Sequence, residues 1–184
     1  MSYTFREAES QADLDGIRRL NHLIFAEEIG QYGVAADGRL VDKHEARSRF
    51  FIALCDGGVV GMVCACAVPP YSIESRLADP RLLDDLPHPL VEVRLLAVHP
   101  EHRNRLVFLG VLGSLTAWAV DCGFGAMLIS GVTERLEMYT RMGFRPLGPP
   151  VAGGKAMFTP MALRLSEMPE RIRTDLKRYL RRVS

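Results

Sequence analysis

The sequence predicts a mixed α/β (α+β) domain, with a twisted and mostly antiparallel sheet that carries helices on both faces. Three observations support this prediction. Strand-like and helix-like segments follow each other in the order β-α-loop-β-β-long loop-β-α-β-α-β-α. A turn signal joins the second and third strands, and the later β-α-β units require right-handed crossovers. A chain of 184 residues is also long enough to bury one full core.

The N-terminal elements follow from local patterns. Residues Tyr3 to Glu7 alternate weakly and predict the first strand. Asp13 predicts the N-cap of a helix that runs to about Ile29, where Gly30 ends it. Residues 30–48 are polar and contain further glycines, so they predict a loop.

Two strand-like runs, 49–54 and 59–68, flank the sequence Asp56-Gly57-Gly58, which predicts a hairpin. The next segment, 69–89, contains five prolines and no clear strand, and Asp79-Pro80 predicts a short helix within it. A connection of this length inside a compact domain is often functional.

The C-terminal half predicts three strands and three helices. In chain order they are a strand at Val91–Val98, a helix at Leu106–Cys122, a strand at Ala126–Gly131, a helix at Glu134–Met142 capped by Thr133, a strand at Lys155–Leu165 and a helix at Ser166–Val183. Because Pro160 has no N–H to donate, we expect the last strand to lie at an edge or to contain a bulge.

Composition excludes several classes of function. The formal net charge of +1 and the 48% apolar content are ordinary for a soluble protein, and no apolar run is long enough to span a membrane. We therefore expect neither nucleic acid nor membrane as a partner, and a cytoplasmic location. The four cysteines match neither a disulfide framework nor a zinc pattern, so we expect buried thiols and no metal.

The C-terminal helix is strongly basic. From Glu170 to Arg182 it carries six cationic and two acidic residues. Three interpretations remain open: a solvated face, a docking surface for an acidic carrier protein, or a contact with a partner subunit.

Two features predict the chemistry. Glu92 lies in an otherwise apolar strand, where a carboxylate can take the proton that an amine nucleophile must lose, although pairing with Arg94 would also explain it. The strand then leads through the basic sequence Arg103-Asn104-Arg105 into a helix. The free N–H groups of a helix N-terminus favour phosphate.

Together with Tyr139-Thr140-Arg141-Met142-Gly143-Phe144, these features resemble the GNAT superfamily of acyl-CoA-dependent N-acyltransferases. The resemblance runs from about Tyr3 to Leu165. It implies a GNAT-like fold with a splayed parallel strand pair, Val91–Val98 and Ala126–Gly131, which holds the pantetheine arm of the donor. The donor is then acyl-CoA, such as acetyl-CoA, or an acyl carrier protein thioester.

The resemblance also implies roles for individual residues. Glu92 corresponds to the general base, and the N–H of Val98 to the contact that polarises the thioester carbonyl. Tyr139 corresponds to the residue that protonates the departing thiolate, although a role in packing alone would also explain it. Donor contacts are implied for the following residues: Ala97, Val98, Arg103, Asn104, Arg105, Leu106, Val107 and Phe108. The family usually has glycine where Leu106 and Phe108 stand, which implies a looser phosphate contact or a carrier-protein donor.

The N-terminal half, from Asn21 to Tyr32 and on through Asp37-Gly38 and Asp42, resembles the N-acyl amino acid synthases and acyl-homoserine lactone synthases. Glu27, Glu28 and Asp42 could line the acceptor site and hold its ammonium group, or they could simply form a solvated face. His99 and His102 flank the phosphate turn, where they could contact phosphate, act as a base or simply be solvated.

We therefore expect residues 1–165 to form an N-acyltransferase domain and 166–184 to form an appended basic helix. The expected reaction is direct attack of a primary amine of a small molecule on the thioester, and a homodimer is the default assembly. The alternative is a catalytically weak GNAT-like module that binds acyl-CoA as a sensor or serves a structural role.

Overall fold

The computed structural model describes residues 2–154 and 156–181, so Lys155 and the last predicted helical residues lie outside the described part. The chain forms two compact units, and strand β4 contributes to both. The first unit contains the described residues of 1–65, 95–117 and 175–184, and the second contains 66–94 and 118–174.

The first unit has a sheet of order β1-β2-β3-β4. Its strands and helices are β1 (Thr4–Glu7), α1 (Gln11–Asn21), a π-helix (His22–Glu28), a 3₁₀ turn (Glu45–Arg47), β2 (Ser48–Cys55), β3 (Gly58–Cys66), the end of β4 (Leu90–Val98), a 3₁₀ turn (Pro100–His102) and most of α2 (Arg105–Asp121). The predicted strands and the α2 helix are confirmed here within one to three residues.

Helix α1 begins earlier than predicted. Ser10 is its N-cap and Asp13 is the third helical residue, so the prediction of Asp13 as the cap is wrong. The two side chains form a capping box, in which Ser10 Oγ accepts from the Asp13 N–H at 3.1 Å and Asp13 accepts from the Ser10 N–H. Asp13 also binds Arg6 through two hydrogen bonds of 2.8 and 2.9 Å, which tie α1 to the end of β1.

The predicted hairpin between β2 and β3 is confirmed. Asp56 and Gly57 have φ values of 49° and 80°, which identify a turn with both central residues in the left-handed region. Farther along β3, a Cβ on Gly61 would lie 2.7 Å from Cγ1 of Val107. The absence of a side chain at Gly61 therefore lets α2 pack close against the sheet.

The second unit has strand order β4-β5-β8-β6, and β7 also pairs with β8. Its further elements are 3₁₀ turns (Ser72–Arg76, Pro80–Leu83, Thr133–Arg135 and Leu165–Glu167), β5 (Ala126–Val132), α3 (Leu136–Arg141), β6 (Arg145–Pro146), β7 (Val151–Gly153), β8 (Ala156–Arg164) and the start of α4 (Glu170–Arg181). The short strands β6 and β7 have no counterpart among the strands predicted from the sequence.

Pro160 lies in the middle of β8, which pairs with β5 on one side and with β6 and β7 on the other, so the expected edge or bulge is wrong. Its carbonyl accepts from the N–H of Leu147 at 2.8 Å, which shows that the nitrogen of Pro160 faces the β6–β7 side. That nitrogen falls between the end of β6 at Pro146 and the start of β7 at Val151. The sheet tolerates proline there because no ladder donor is required.

The parallel pair that the resemblance implies is confirmed, and its register is short. Strands β4 and β5 pair through Leu90↔Ala126, Val91↔Met127 and Glu92↔Leu128. Strand β5 continues for four more residues, Ile129 to Val132, which pair with β8. Within the second unit, the register between β4 and β5 thus ends while β5 goes on.

The expectation that all four cysteines are buried is wrong for one of them. Cys55, Cys64 and Cys66 are buried as expected, but Cys122 is exposed. Among the described residues, no helix has both the length and the apolar character needed to cross a bilayer.

Candidate active site

The backbone N–H of Val98 lies at the end of β4, on the edge of the strand that faces away from β3. The N–H of His99 donates to the carbonyl of Val60 on β3 at 2.8 Å. Because neighbouring N–H groups of a strand point to opposite edges, the N–H of Val98 points away from β3. The Val98 carbonyl accepts from Nε of Arg103 at 3.4 Å, which ties the strand end to the basic turn.

Helix α2 begins directly after this turn, and Asn104 is its cap. Its Oδ1 accepts from the N–H of Val107 at 3.0 Å, and its Nδ2 donates to the hydroxyl of Tyr3 at 3.2 Å. The Asn104 carbonyl accepts from the N–H of Phe108. The amides of Arg105 and Leu106 lie in the same first turn, where helix N–H groups lack intrahelical partners and favour anions.

Both arginines of the turn make ion pairs with acids elsewhere in the first unit. Arg103 binds Glu28, and Arg105 binds Asp175 at 2.9 Å. The Arg103 and Arg105 side chains are 47% and 70% exposed, respectively. Exposed pairs of this kind contribute little free energy, about 1 kcal/mol or less, so a phosphate group can displace the acids.

The other predicted donor residues differ in what they can offer. Leu106 and Phe108 are half-buried, and Val107 is fully buried. Since the side chain of Val107 belongs to the core, only its backbone groups could contact the acyl donor. Ala97 is likewise buried, so it too can contribute only backbone groups.

The predicted acceptor residues lie on separate segments of the first unit. Glu28 is engaged with Arg103, while Asp42 is buried and accepts from the N–H of His44 at 2.9 Å. Near α1 there is a cavity of about 580 Å³, whose polar lining includes Asp13, Arg19, His22, Glu27, Asp37 and His99. Sequence reasoning did not single out Asp37 or Arg19 for this region.

His22 is, like Asp13, a buried polar group in the wall of this cavity. Its Nε2 accepts from the N–H of Ala35 at 2.9 Å, and its Nδ1 lies 3.0 Å from the carboxylate of Glu27. This pattern fits the neutral tautomer with the proton on Nδ1. The pair fixes the carboxylate of Glu27, half of which remains exposed, at the cavity wall.

Glu92 lies within the paired part of β4 in the second unit, and it is 1% exposed. Its Oε1 accepts from Oγ of Ser72 at 2.6 Å and from the N–H of Ile73 at 2.8 Å, and its Oε2 accepts from the N–H of Ser72 at 2.8 Å. The carboxylate therefore holds the start of the 3₁₀ turn at residues 72–76. Oε2 retains one lone pair beyond these contacts.

Tyr139 lies on α3 and packs against the end of β5. A Cβ placed on Gly131 would lie 2.7 Å from Cε2 of its ring, so the glycine makes room for the tyrosine. Burial raises the pKa of Tyr139 above its ordinary value of 10, while a backbone hydrogen bond with Val132 and the charge of Arg135 act in the opposite direction. The hydroxyl therefore stays protonated at neutral pH and can donate a proton.

Sequence reasoning missed a further cation at the same strand. Arg76 donates to Oγ of Ser130 on β5 at 3.2 Å, and its guanidinium lies 4.8 Å from the centre of the Phe158 ring. An arginine inside a long proline-containing connection carries no positional signal. Only the tertiary structure reveals that it lies against β5.

Several solved structures of known proteins share the fold of this chain. The acyl-homoserine lactone synthase BjaI, solved with MTA, is 20% identical with a TM-score of 0.76, and the match covers 97% of this chain and 90% of BjaI. The synthase LasI is 17% identical with a TM-score of 0.71, over 89% of this chain and 90% of LasI. FeeM, an N-acyl amino acid synthase from uncultured soil microbes, is 16% identical with a TM-score of 0.71, over 90% of this chain and 92% of FeeM.

At such low identity these structures establish the fold alone. A search of curated protein sequences gave no match. The family model described as "Acetyltransferase (GNAT) family" matches residues 14–144, which is well over half of the sequence. The chain therefore belongs to the acetyltransferase (GNAT) family.

Proposed function

We propose that this GNAT-family acyltransferase moves an acyl group from a pantetheine thioester to the primary amine of a small molecule. The observation that carries the proposal is the early end of the β4–β5 register at Glu92↔Leu128. Strand β5 continues past this point toward Gly131, where Tyr139 packs. The backbone edge of β5 beyond Leu128 is suited to pair with the amide groups of a pantetheine arm.

The proposed reaction is a direct displacement. The amine nitrogen forms a bond to the thioester carbon, and the C–S bond then breaks. In the second unit, the Tyr139 hydroxyl gives its proton to the departing thiolate. The GNAT resemblance assigns the N–H of Val98, in the first unit, to the negative charge on the carbonyl oxygen. Glu92 accepts the proton of the amine through a water bound at the free lone pair of Oε2.

The charged end of the donor is assigned to the first unit. The amides of Arg105 and Leu106 and the side chains of Arg103 and Arg105 bind its phosphate groups, after exchange with Glu28 and Asp175. BjaI, whose fold is similar, has been solved with SAM and isopentyl-CoA. That structure supports acyl-CoA as a donor here, and carrier-protein thioesters share the same pantetheine chemistry.

The acceptor is assigned to the cavity beside α1. Glu27 and Asp37 provide negative charge for an ammonium group, and His99 follows Val98 directly in the chain. Glu28 and Asp42 remain candidates for further acceptor contacts. FeeM is described as an N-acyl amino acid synthase, which supports a small-molecule amine as the acceptor class.

The test is thiol release from acyl-CoA in the presence of a panel of amines, with product identification by mass spectrometry. We expect amine-dependent release by the parent enzyme. Tyr139→Phe should lower kcat about tenfold or more with little change in donor binding, because only the proton for the thiolate is lost. The exposed Tyr32 provides the matched control, and Tyr32→Phe should leave kcat unchanged.

The sensor alternative makes the opposite prediction. A sensor would bind acyl-CoA without amine-dependent release, and Tyr139→Phe and Glu92→Gln would leave that binding unchanged.

The salt dependence of the transfer rate tests whether the donor is acyl-CoA or a carrier-protein thioester. If the basic C-terminal helix docks an acidic carrier protein, higher ionic strength should slow transfer from the carrier and spare transfer from acyl-CoA. Equal sensitivity of both donors would exclude docking by this helix.

A further inference from the structure

The turn between β4 and α2 brings three potential metal ligands together. His99, Glu101 and His102 each offer one ligand atom, and these atoms all lie within 4.8 Å of one another. The three residues flank and form the 3₁₀ turn Pro100–His102. Since side chains three residues apart in a 3₁₀ turn eclipse each other, His99 and His102 project on the same side.

The two imidazoles are close and differently supported. Their ring centres are 5.7 Å apart in an edge-to-face arrangement. Nδ1 of His102 lies 3.2 Å from the hydroxyl of Tyr3, which also accepts from Asn104. A Nδ1–H of His102 that donates to Tyr3 leaves Nε2 as the metal ligand, and this is the usual outer support of metal-binding histidines.

His99 has a lone pair on Nδ1, which accepts a long hydrogen bond of 3.3 Å from the N–H of Glu101. A metal ion can take this lone pair in exchange for that contact. In a tetrahedral site with bonds of about 2.0–2.2 Å the ligand atoms are about 3.5 Å apart, so the side chains need to close by at most about 1.3 Å. Glu101 is exposed and the histidines are partly exposed, so a rotation of this size meets little resistance.

The charges around the turn also allow a cation. The neighbouring Arg103 and Arg105 are each paired with a carboxylate, Glu28 and Asp175, which compensates their positive charge. Two imidazoles and one carboxylate suit divalent zinc, copper and nickel rather than magnesium or calcium. Three protein ligands leave at least one coordination position open.

We propose that His99, Glu101 and His102 form a binding site for one divalent transition metal ion of the zinc class at the β4–α2 turn. This site was not anticipated from the sequence, where the cysteine pattern pointed to no metal. The signal that could have indicated it is the spacing His-x-Glu-His itself, read on a tight turn. The proposal does not depend on the acyl-transfer reaction.

The test is calorimetric titration of the full chain with Zn²⁺ alone. We expect one ion per chain, with affinity reduced at least about tenfold in His99→Ala and in His102→Ala. His88→Ala, which removes an exposed histidine elsewhere, and Cys122→Ser, which removes the exposed thiol, should bind as the parent does. The absence of Zn²⁺ binding by the parent would overturn the proposal. Binding by both histidine variants with the affinity of the parent, or a loss of affinity in Cys122→Ser, would also overturn it.

A measurement on the parent protein guards against variants that do not fold. Cu²⁺ bound in place of zinc should give an electron paramagnetic resonance spectrum with hyperfine coupling to two imidazole nitrogens. A spectrum without nitrogen coupling would overturn the proposal independently of any substitution.

Discussion

Replacement of Glu92 by glutamine should destabilise the second unit by much more than an ordinary polar substitution. The carboxylate is 1% exposed and accepts from three donors on Ser72 and Ile73. Glutamine keeps the shape, but its NH₂ group, which replaces one carboxylate oxygen, cannot accept a hydrogen bond. Whichever way the amide is oriented, at least one of the three donors faces another N–H group.

The expected magnitude follows from these contacts. A buried donor left unpaired costs about 1–3 kcal/mol, and hydrogen bonds to a charged acceptor are worth roughly 1 kcal/mol more than neutral ones. Glu92→Gln should therefore lower the free energy of unfolding by about 2–4 kcal/mol. With a urea m-value of about 2 kcal/mol/M, the urea midpoint falls by about 1–2 M.

Urea unfolding followed by circular dichroism is the assay, with two comparison variants. Ser72→Ala removes one donor to the same carboxylate and should cost about 1.5–3 kcal/mol. Ser75→Ala removes an exposed hydroxyl that donates to the Ser72 carbonyl, and it should change the free energy of unfolding by about 0.5 kcal/mol or less. A Glu92→Gln midpoint within the error of the parent would refute the anchoring role of this carboxylate.

Three further predictions concern other contacts. Gly131→Ala places a methyl group 2.7 Å from the Tyr139 ring. Thiol release in steady-state assays should therefore fall at least as much as in Tyr139→Phe. Full activity would show that the ring position does not matter. Gly110→Ala places its Cβ among the ring atoms of Phe5 and should lower the free energy of unfolding in urea by about 1–3 kcal/mol. Gly33→Ala is the control, and it should be nearly neutral because the space around Gly33 is open. Equal effects of the two substitutions would contradict the packing of β1 on α2. The hydrogen bond with Arg6 holds the pKa of Asp13 below its ordinary value of 3.8, so its contribution is present at neutral pH and is lost as pH falls below about 4. Asp13→Asn should flatten this part of the pH–stability curve, and an unchanged acid limb would show that Asp13 does not supply it.

The fold was largely predictable because its signals are local. The Asp56-Gly57 turn and the apolar runs of β2, β3 and β4 all depend on residues that are close in sequence. The errors arose where tertiary pairing decides. Pro160 is accommodated inside β8 only because β7 and β6 leave a break opposite it, and no local pattern of β8 contains that information.

The candidate site was predictable in its residue types and less so in its contacts. The strand position of Glu92 and the Tyr139 motif before Gly143 could be predicted from the sequence. Their contacts could not, because Ser72, which binds Glu92, and Gly131, which lies against Tyr139, are not adjacent to them in the chain. Asn104 was assigned to the donor, whereas the structure also gives it the role of helix cap. Sequence spacing does not encode which of two such roles a polar side chain takes.

The most direct test of the proposed donor site is hydrogen–deuterium exchange with and without acyl-CoA. In residues 129–132 of β5, the amides that do not bond to β8 should become protected together with those at the start of α2, near Arg105 and Leu106, when the thioester binds. Protection confined to other segments, or none at saturating acyl-CoA, would contradict the placement of the pantetheine arm on β5 and of the phosphates at α2.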